Sequence, residues 1–252
     1  MAKKSRKKSA KASANNQHPT NVVRAFGSAD WHPLDEAIDR QRDKSFVRRI
    51  KPRSEGQKEL MEAIKDHNLT LAVGPAGTGK TYLAIAAAVE ALEAGEVERI
   101  ILSRPAMEAG ESLGYLPGDM QEKMAPYLRP LFDALGDRLG GKRVRQLMEE
   151  GTIEIAPVGF MRGRTLNNAF IVIDEAQNCT YVQLKMLLSR LGWNATMVVT
   201  GDPRQSDLLD GMSGLTEIEE KLSPLENIGH VRLAAEDIVR HPLVAEMLNV
   251  LE

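Results

Sequence analysis

Residues 74–81 read Gly-Pro-Ala-Gly-Thr-Gly-Lys-Thr, the pattern GxxxxGK(S/T) of a phosphate-binding loop. These residue types suit the β- and γ-phosphates of a nucleoside triphosphate with its Mg²⁺. Gly74, Gly77 and Gly79 permit positive φ, so successive backbone N–H groups can face inward as an anion nest. Pro75, Ala76 and Thr78 complete the loop. Lys80 opens a helix and places a point charge on the phosphates, and the Thr81 hydroxyl is a Mg²⁺ ligand.

Two further blocks offer acidic and amide groups. Asp174-Glu175-Ala176-Gln177 follows the apolar run 169–173. An apolar strand ending in Asp is a Walker B motif, and Asp174 is expected to hold Mg²⁺ directly or through water. Glu175 stands where a hydrolytic enzyme needs a base to polarise the attacking water. Thr200-Gly201-Asp202-Pro203-Arg204-Gln205 follows another apolar run. Asp202 and Gln205 can then reach the γ-phosphate or the water.

These groups must converge, and the flanking sequence says how. Leu69–Val73, Arg99–Ser103, Ala169–Ile173 and Ala195–Thr200 are short apolar runs suited to buried strands. Ile153–Val158 alternates like a strand near an edge, and His230–Ala234 is expected to be the last strand. Tyr82–Leu92 is a strong helix former. Ser54 and Gln57 have capping-box spacing before a helix carrying Leu60, Met61 and Ile64, and Thr180 and Gln183 repeat that spacing. Helical segments are expected over about 119–138, 142–150 and 214–222, and a last one after Pro242. Strands alternating with helices imply an α/β fold, a parallel sheet covered on both faces, with ligands at the C-terminal strand ends.

The chain has 252 residues, 27% charged and 42% hydrophobic, with a net charge of −2, ordinary for a globular protein. The charge is unevenly placed. Residues 1–20 hold Lys3, Lys4, Arg6, Lys7, Lys8 and Lys11 and no acid. This is either a disordered solubilising tail or an arm that meets nucleic acid phosphates. A lead-in over 21–53 precedes a phosphate-binding domain over 54–252, with an insertion at about 105–150. The one cysteine, Cys179, excludes intrachain disulfides and fits a reducing, cytoplasmic compartment. No run approaches 18 apolar residues, so no membrane span is expected.

The order GxxxxGKT, DEAQ, GDPRQ resembles the first motor domain of superfamily 1 helicases. The block 104–118, with Glu122-Lys123, the 126–130 run and Arg240-His241-Pro242, narrows this to a resemblance to the PhoH family of ATPases. The chain looks like the stand-alone, phosphate-starvation-inducible form without a PIN nuclease domain. The resemblance implies a RecA-like core, hydrolysis of ATP with Mg²⁺, and a link to RNA metabolism. Expected partners are single-stranded RNA, further copies in a dimer or a ring such as a hexamer, and an endoribonuclease.

By the same resemblance, Gln57 is expected to read the adenine edge, unless it only completes the box with Ser54. The second motor domain, which supplies arginine fingers in helicases, is not expected in this chain. Either hydrolysis is then slow, or a neighbouring subunit supplies one, with Arg162, Arg164, Arg204 and Arg240 as the candidates. The Gly110–Gly118 loop, with Glu111 and Tyr115, is either an RNA or subunit contact or a packed connector. Two other functions fit the motifs: a slow nucleotide-dependent switch or scaffold, and a small-molecule kinase. Glu175 and Gln205 argue against the kinase.

Overall fold

Six short apolar segments lie side by side as one parallel sheet, and their chain order explains the placing of the motifs. The computed structural model describes residues 50–105, 120–209, 211–239 and 247, with backbone only over 120–126. The basic tail, the lead-in up to residue 49, the 110–118 loop, Arg240 and Pro242 lie outside the described residues. The strands are β1 (Leu69–Val73), β2 (Arg99–Arg104), β3 (Ile153–Pro157), β4 (Ala169–Ile173), β5 (Thr196–Gly201) and β6 (Gly229–Arg232). Their order across the sheet is β3-β2-β4-β5-β1-β6. β4, β5 and β1 are therefore neighbours, with Ile173 level with Val199 and Val73 level with Gly201. The loops after these three strands carry the three motifs, so topology brings them together.

Helices cover both faces. On one face lie α1 (Glu55–Asp66), α2 (Lys80–Glu93), α3 (Met120–Leu139) and α4 (Gly141–Glu149). Their Leu60, Val89, Leu135 and Val144 pack on Leu102, Val172 and Val198. On the other face lie α5 (Tyr181–Leu188) and α6 (Leu215–Leu222). Leu184 and Ile218 from these pack with Leu71, Ile101, Ile171 and Val199. Successive strand residues point to opposite faces, so a strand buried on both sides is apolar throughout, as all five residues of β4 are. β3 alternates because it is an edge strand, as its pattern predicts. β6 ends at Arg232, two residues before the expected limit, because Leu233 onward leaves the sheet to pass over the phosphate-binding loop.

Helix starts follow local chemistry. The Thr180 hydroxyl accepts from the Gln183 N–H, and the Gln183 side chain accepts from the Thr180 N–H, a complete capping box. At Ser54 only half the box forms, since the Gln57 side chain is used elsewhere. Cys179 is fully buried in the second core, and burial pushes its thiol up to about 12, which leaves it a packing residue. Among the described residues no helix is long and apolar enough to cross a membrane.

Two glycines have opposite roles. A Cβ on Gly214 would stand 2.2 Å from the Tyr181 backbone nitrogen, so its place requires glycine. Gly136 lies inside α3 with no neighbouring atom within 4 Å of an added Cβ. Gly214→Ala is expected to lose about 1–3 kcal/mol through overpacking. Gly136→Ala is expected to gain about 0.4–1 kcal/mol by restricting the unfolded chain. Urea unfolding of the two variants beside the parent measures both.

Candidate nucleotide site

The loop after β1 turns as its glycines allow. Gly74, Gly77 and Gly79 have φ of 149°, 85° and 86°. Gly74 is also forced by space: a Cβ there would lie 2.4 Å from the Leu233 carbonyl oxygen. The loop is tied down by three backbone bonds. Gly74 N–H donates to Gly201 O, Leu233 N–H to Val73 O, and Val239 N–H to Gly77 O. α2 starts at Lys80 with no side-chain cap, which leaves its first N–H groups for an anion.

Lys80 is nearly buried. Its ammonium donates to Gly74 O at 2.7 Å, Pro75 O at 2.8 Å and Thr78 Oγ1 at 3.4 Å. Burial lowers its pKa from the ordinary lysine value, against the opposing pull of Asp202, Glu175 and Asp174. A phosphate oxygen is a stronger partner for this ammonium than a carbonyl.

Asp174 collects donors that follow or end three other strands. Thr81 Oγ1 donates to its Oδ1 at 2.6 Å, and Thr200 Oγ1 donates to the same oxygen at 2.8 Å. Arg104 Nη1 donates to Oδ2 at 3.3 Å. A carboxylate and a hydroxyl this close are hard oxygen ligands, which suits Mg²⁺ held by one carboxylate with phosphate and water. Among the described residues no cluster of three His, Cys, Asp or Glu forms a dedicated metal cage.

Glu175 has a left-handed backbone, φ 53° and ψ 43°, uncommon for a residue with a Cβ. Its Oε1 accepts from Arg104 Nη2 at 3.3 Å and its Oε2 from Gln177 Nε2. Gln177 is buried and also binds the third loop: its Oε1 accepts from the Asp202 N–H at 3.0 Å. Asp202 is buried at the same strand end, where its Oδ1 accepts from the Arg204 N–H. Gln205 is exposed, and its N–H donates to Asp202 O.

The structure brings together Lys80, Thr81, Asp174, Glu175 and Asp202. It gives the Gln57 side chain a place other than the capping box. Gln57 Nε2 donates to Thr78 O at 2.9 Å, and its Oε1 accepts from the Arg53 N–H at 2.9 Å. The side chain is buried, and it clamps the phosphate-binding loop onto α1 instead of returning to Ser54. Arg164 is held in an ion pair within this chain. Both its amino groups bind the Glu154 carboxylate, and it lies between Met161 and Leu166 of the second core, on the sheet face away from α2. Arg162 and Arg204 are exposed. Arg104, Gln177 and Thr200 join the site although no motif assigns them a role there. Arg104 and Thr200 stand at the C-terminal ends of expected strands, and that position was the signal for them.

If Gln57 acts through the loop, Gln57→Ala weakens ATP and GTP binding by the same factor, about tenfold for one lost buried hydrogen bond. Fluorescence titration with labelled analogues of both nucleotides measures this. A loss confined to the adenine nucleotide would show base reading by Gln57.

Comparison with known proteins adds the family. The PhoH-like protein family model matches residues 49–252. The PhoH-like protein of Bacillus subtilis (strain 168) is 53% identical over 201 residues, covering 79% of this chain and 63% of that protein. Protein PhoH of Escherichia coli (strain K12) is 46% identical over 217 residues, covering 85% and 61%. The chain thus spans about three-fifths of the length of these curated relatives. Among solved structures, the large terminase from a thermophilic bacteriophage is similar at TM-score 0.51 and 13% identity, over 80% of this chain and 51% of that one. That likeness is one of fold alone, a RecA-like parallel sheet. The chain belongs to the PhoH-like protein family.

Proposed function

We propose that this chain is a cytoplasmic ATPase that binds Mg·ATP at residues 74–81 and couples its hydrolysis to single-stranded RNA, in aid of an endoribonuclease partner. The observation that carries the enzymatic part is the 2.6 Å contact between Thr81 Oγ1 and Asp174 Oδ1, with Lys80 and Glu175 beside it. A phosphate loop and a Walker B carboxylate meet there.

Each group has one task. The N–H groups of the loop and the α2 N-terminus bind phosphate oxygens. Lys80 exchanges its carbonyl partners for those oxygens. Thr81 and Asp174 would hold Mg²⁺, which when bound would supply charge neutralisation on the transferring phosphoryl group. Glu175 takes a proton from water as the water oxygen bonds the γ-phosphorus and ADP leaves. Gln177 binds both Glu175 and the Asp202 N–H, so a shift of the Asp202–Gln205 loop reaches the base.

RNA coupling is supported by the motif order and by the six basic residues within the first twenty. Assembly into a homo-oligomer, a ring or dimer, is supported by the exposed Arg162 and Arg204. One of these, or Arg240, completes the neighbouring site in trans, which is worth about 10³–10⁵-fold in related enzymes.

The test is steady-state phosphate release with and without single-stranded RNA, on the parent chain and Glu175→Gln. RNA is expected to stimulate the parent. Glu175→Gln is expected to lose about 10²–10⁴-fold in kcat while nucleotide still binds. Slow turnover indifferent to RNA would favour the switch or scaffold, and a phosphorylated metabolite in place of inorganic phosphate would favour the kinase.

A further inference from the structure

Arg104 is the last residue of β2, and its guanidinium bridges both acidic residues of the site. Nη1 donates to Asp174 Oδ2 and Nη2 to Glu175 Oε1, each at 3.3 Å. The bridge follows from sheet register. β2 adjoins β4, Ser103 is level with Ile173, and the Asp174 N–H donates to Ser103 O at 2.8 Å. The residues that follow this pair therefore meet at one sheet end.

The arrangement constrains the proposed base. A general base needs an oxygen within about 2.6–3.2 Å of the water it deprotonates. Glu175 turns Oε1 to Arg104 and Oε2 to Gln177, so protein donors set the direction of its carboxylate. Asp174 likewise offers Oδ1 to Thr81 and Thr200, and Oδ2 to Arg104. The guanidinium thus competes with a divalent cation for one carboxylate while it restrains the other.

We propose that Arg104 is a positioning residue that holds Glu175 aside until a divalent cation takes its place at Asp174. The proposal rests on the ATPase reading above. Arg104 is the one side chain that forms ion pairs with both carboxylates among the described residues. A bound dication beside it repels a fixed positive charge at short range. Arg104 then yields Asp174, and its remaining hold on Glu175 is the more exposed of the two contacts, with side-chain exposure of 36% at Glu175 against 3% at Asp174. Once Arg104 turns out, Glu175 Oε1 is free to face water, while Gln177 keeps Oε2. Metal arrival and base release are one event.

The experiment compares the parent chain with Arg104→Ala and Arg104→Lys. The first readout needs no turnover: Mg²⁺ is titrated against binding of a fluorescent ADP analogue. Without the competing guanidinium, the half-saturating Mg²⁺ concentration is expected to fall about fivefold or more, the lower range of ordinary coupling between ligands. Arg104→Lys is expected to restore the parent value in part. The second readout is ATP turnover at sub-saturating Mg²⁺, where Arg104→Ala should turn over faster than the parent. An unchanged Mg²⁺ dependence, or slower turnover in Arg104→Ala, would overturn the proposal. If no protein in the series hydrolyses ATP yet the Mg²⁺ shift appears, the ATPase reading fails and the competition at Asp174 stands. Should Arg104→Ala not fold, Arg104→Gln, which removes the charge and keeps donors, takes its place in the same titration.

Discussion

The carboxylate of Asp174 is the point on which this site is built. It is almost wholly buried, and an uncompensated charge there would cost several kcal/mol. Compensation comes from Thr81 after β1, Thr200 at the end of β5 and Arg104 at the end of β2. One buried charge therefore ties the C-terminal ends of four neighbouring strands. The same donors are what a metal-dependent phosphoryl site needs within reach.

Gln177 extends the tie by one further step. A buried amide has one acceptor and two donor hydrogens, and this one spends them across two loops. Its oxygen takes the Asp202 N–H, and its nitrogen serves Glu175. Gly201 allows the approach, since a Cβ there would lie 2.8 Å from the Gln177 oxygen. The expected base is thus joined mechanically to the loop after β5. Gln57 acts in the same way from outside the sheet, holding Thr78 against α1. The phosphate-binding loop is fixed from three directions: α1, the Gly201 carbonyl and the segment after β6.

Much of this was legible in the sequence. The apolar runs over 69–73, 99–103 and 169–173 became strands because continuous burial on two faces leaves little other choice. The phosphate-binding loop was readable because glycine spacing dictates its backbone. The position of Arg104 at a strand end was legible too, but the contacts of Arg104 and Gln177 were not, because they depend on strand order, and periodicity along one strand says nothing about its neighbour. The capping box expected of Gln57 stays half-formed for a related reason. Its spacing from Ser54 permits a capping box, yet its side-chain oxygen accepts from the Arg53 N–H while its nitrogen donates to the Thr78 carbonyl 21 positions further on. Arg164 looked available in sequence, since its partner Glu154 lies on the edge strand ten positions earlier.

The measurement that tests this account most directly is the Mg²⁺ dependence of ATP affinity in Asp174→Asn, measured at equilibrium beside the parent chain. The substitution preserves shape and removes one charge. The account predicts that the variant remains folded and still binds nucleotide, and that the gain in affinity on adding Mg²⁺ disappears. A gain as large as the parent's would show that the metal is held elsewhere, and would contradict the site built around Asp174.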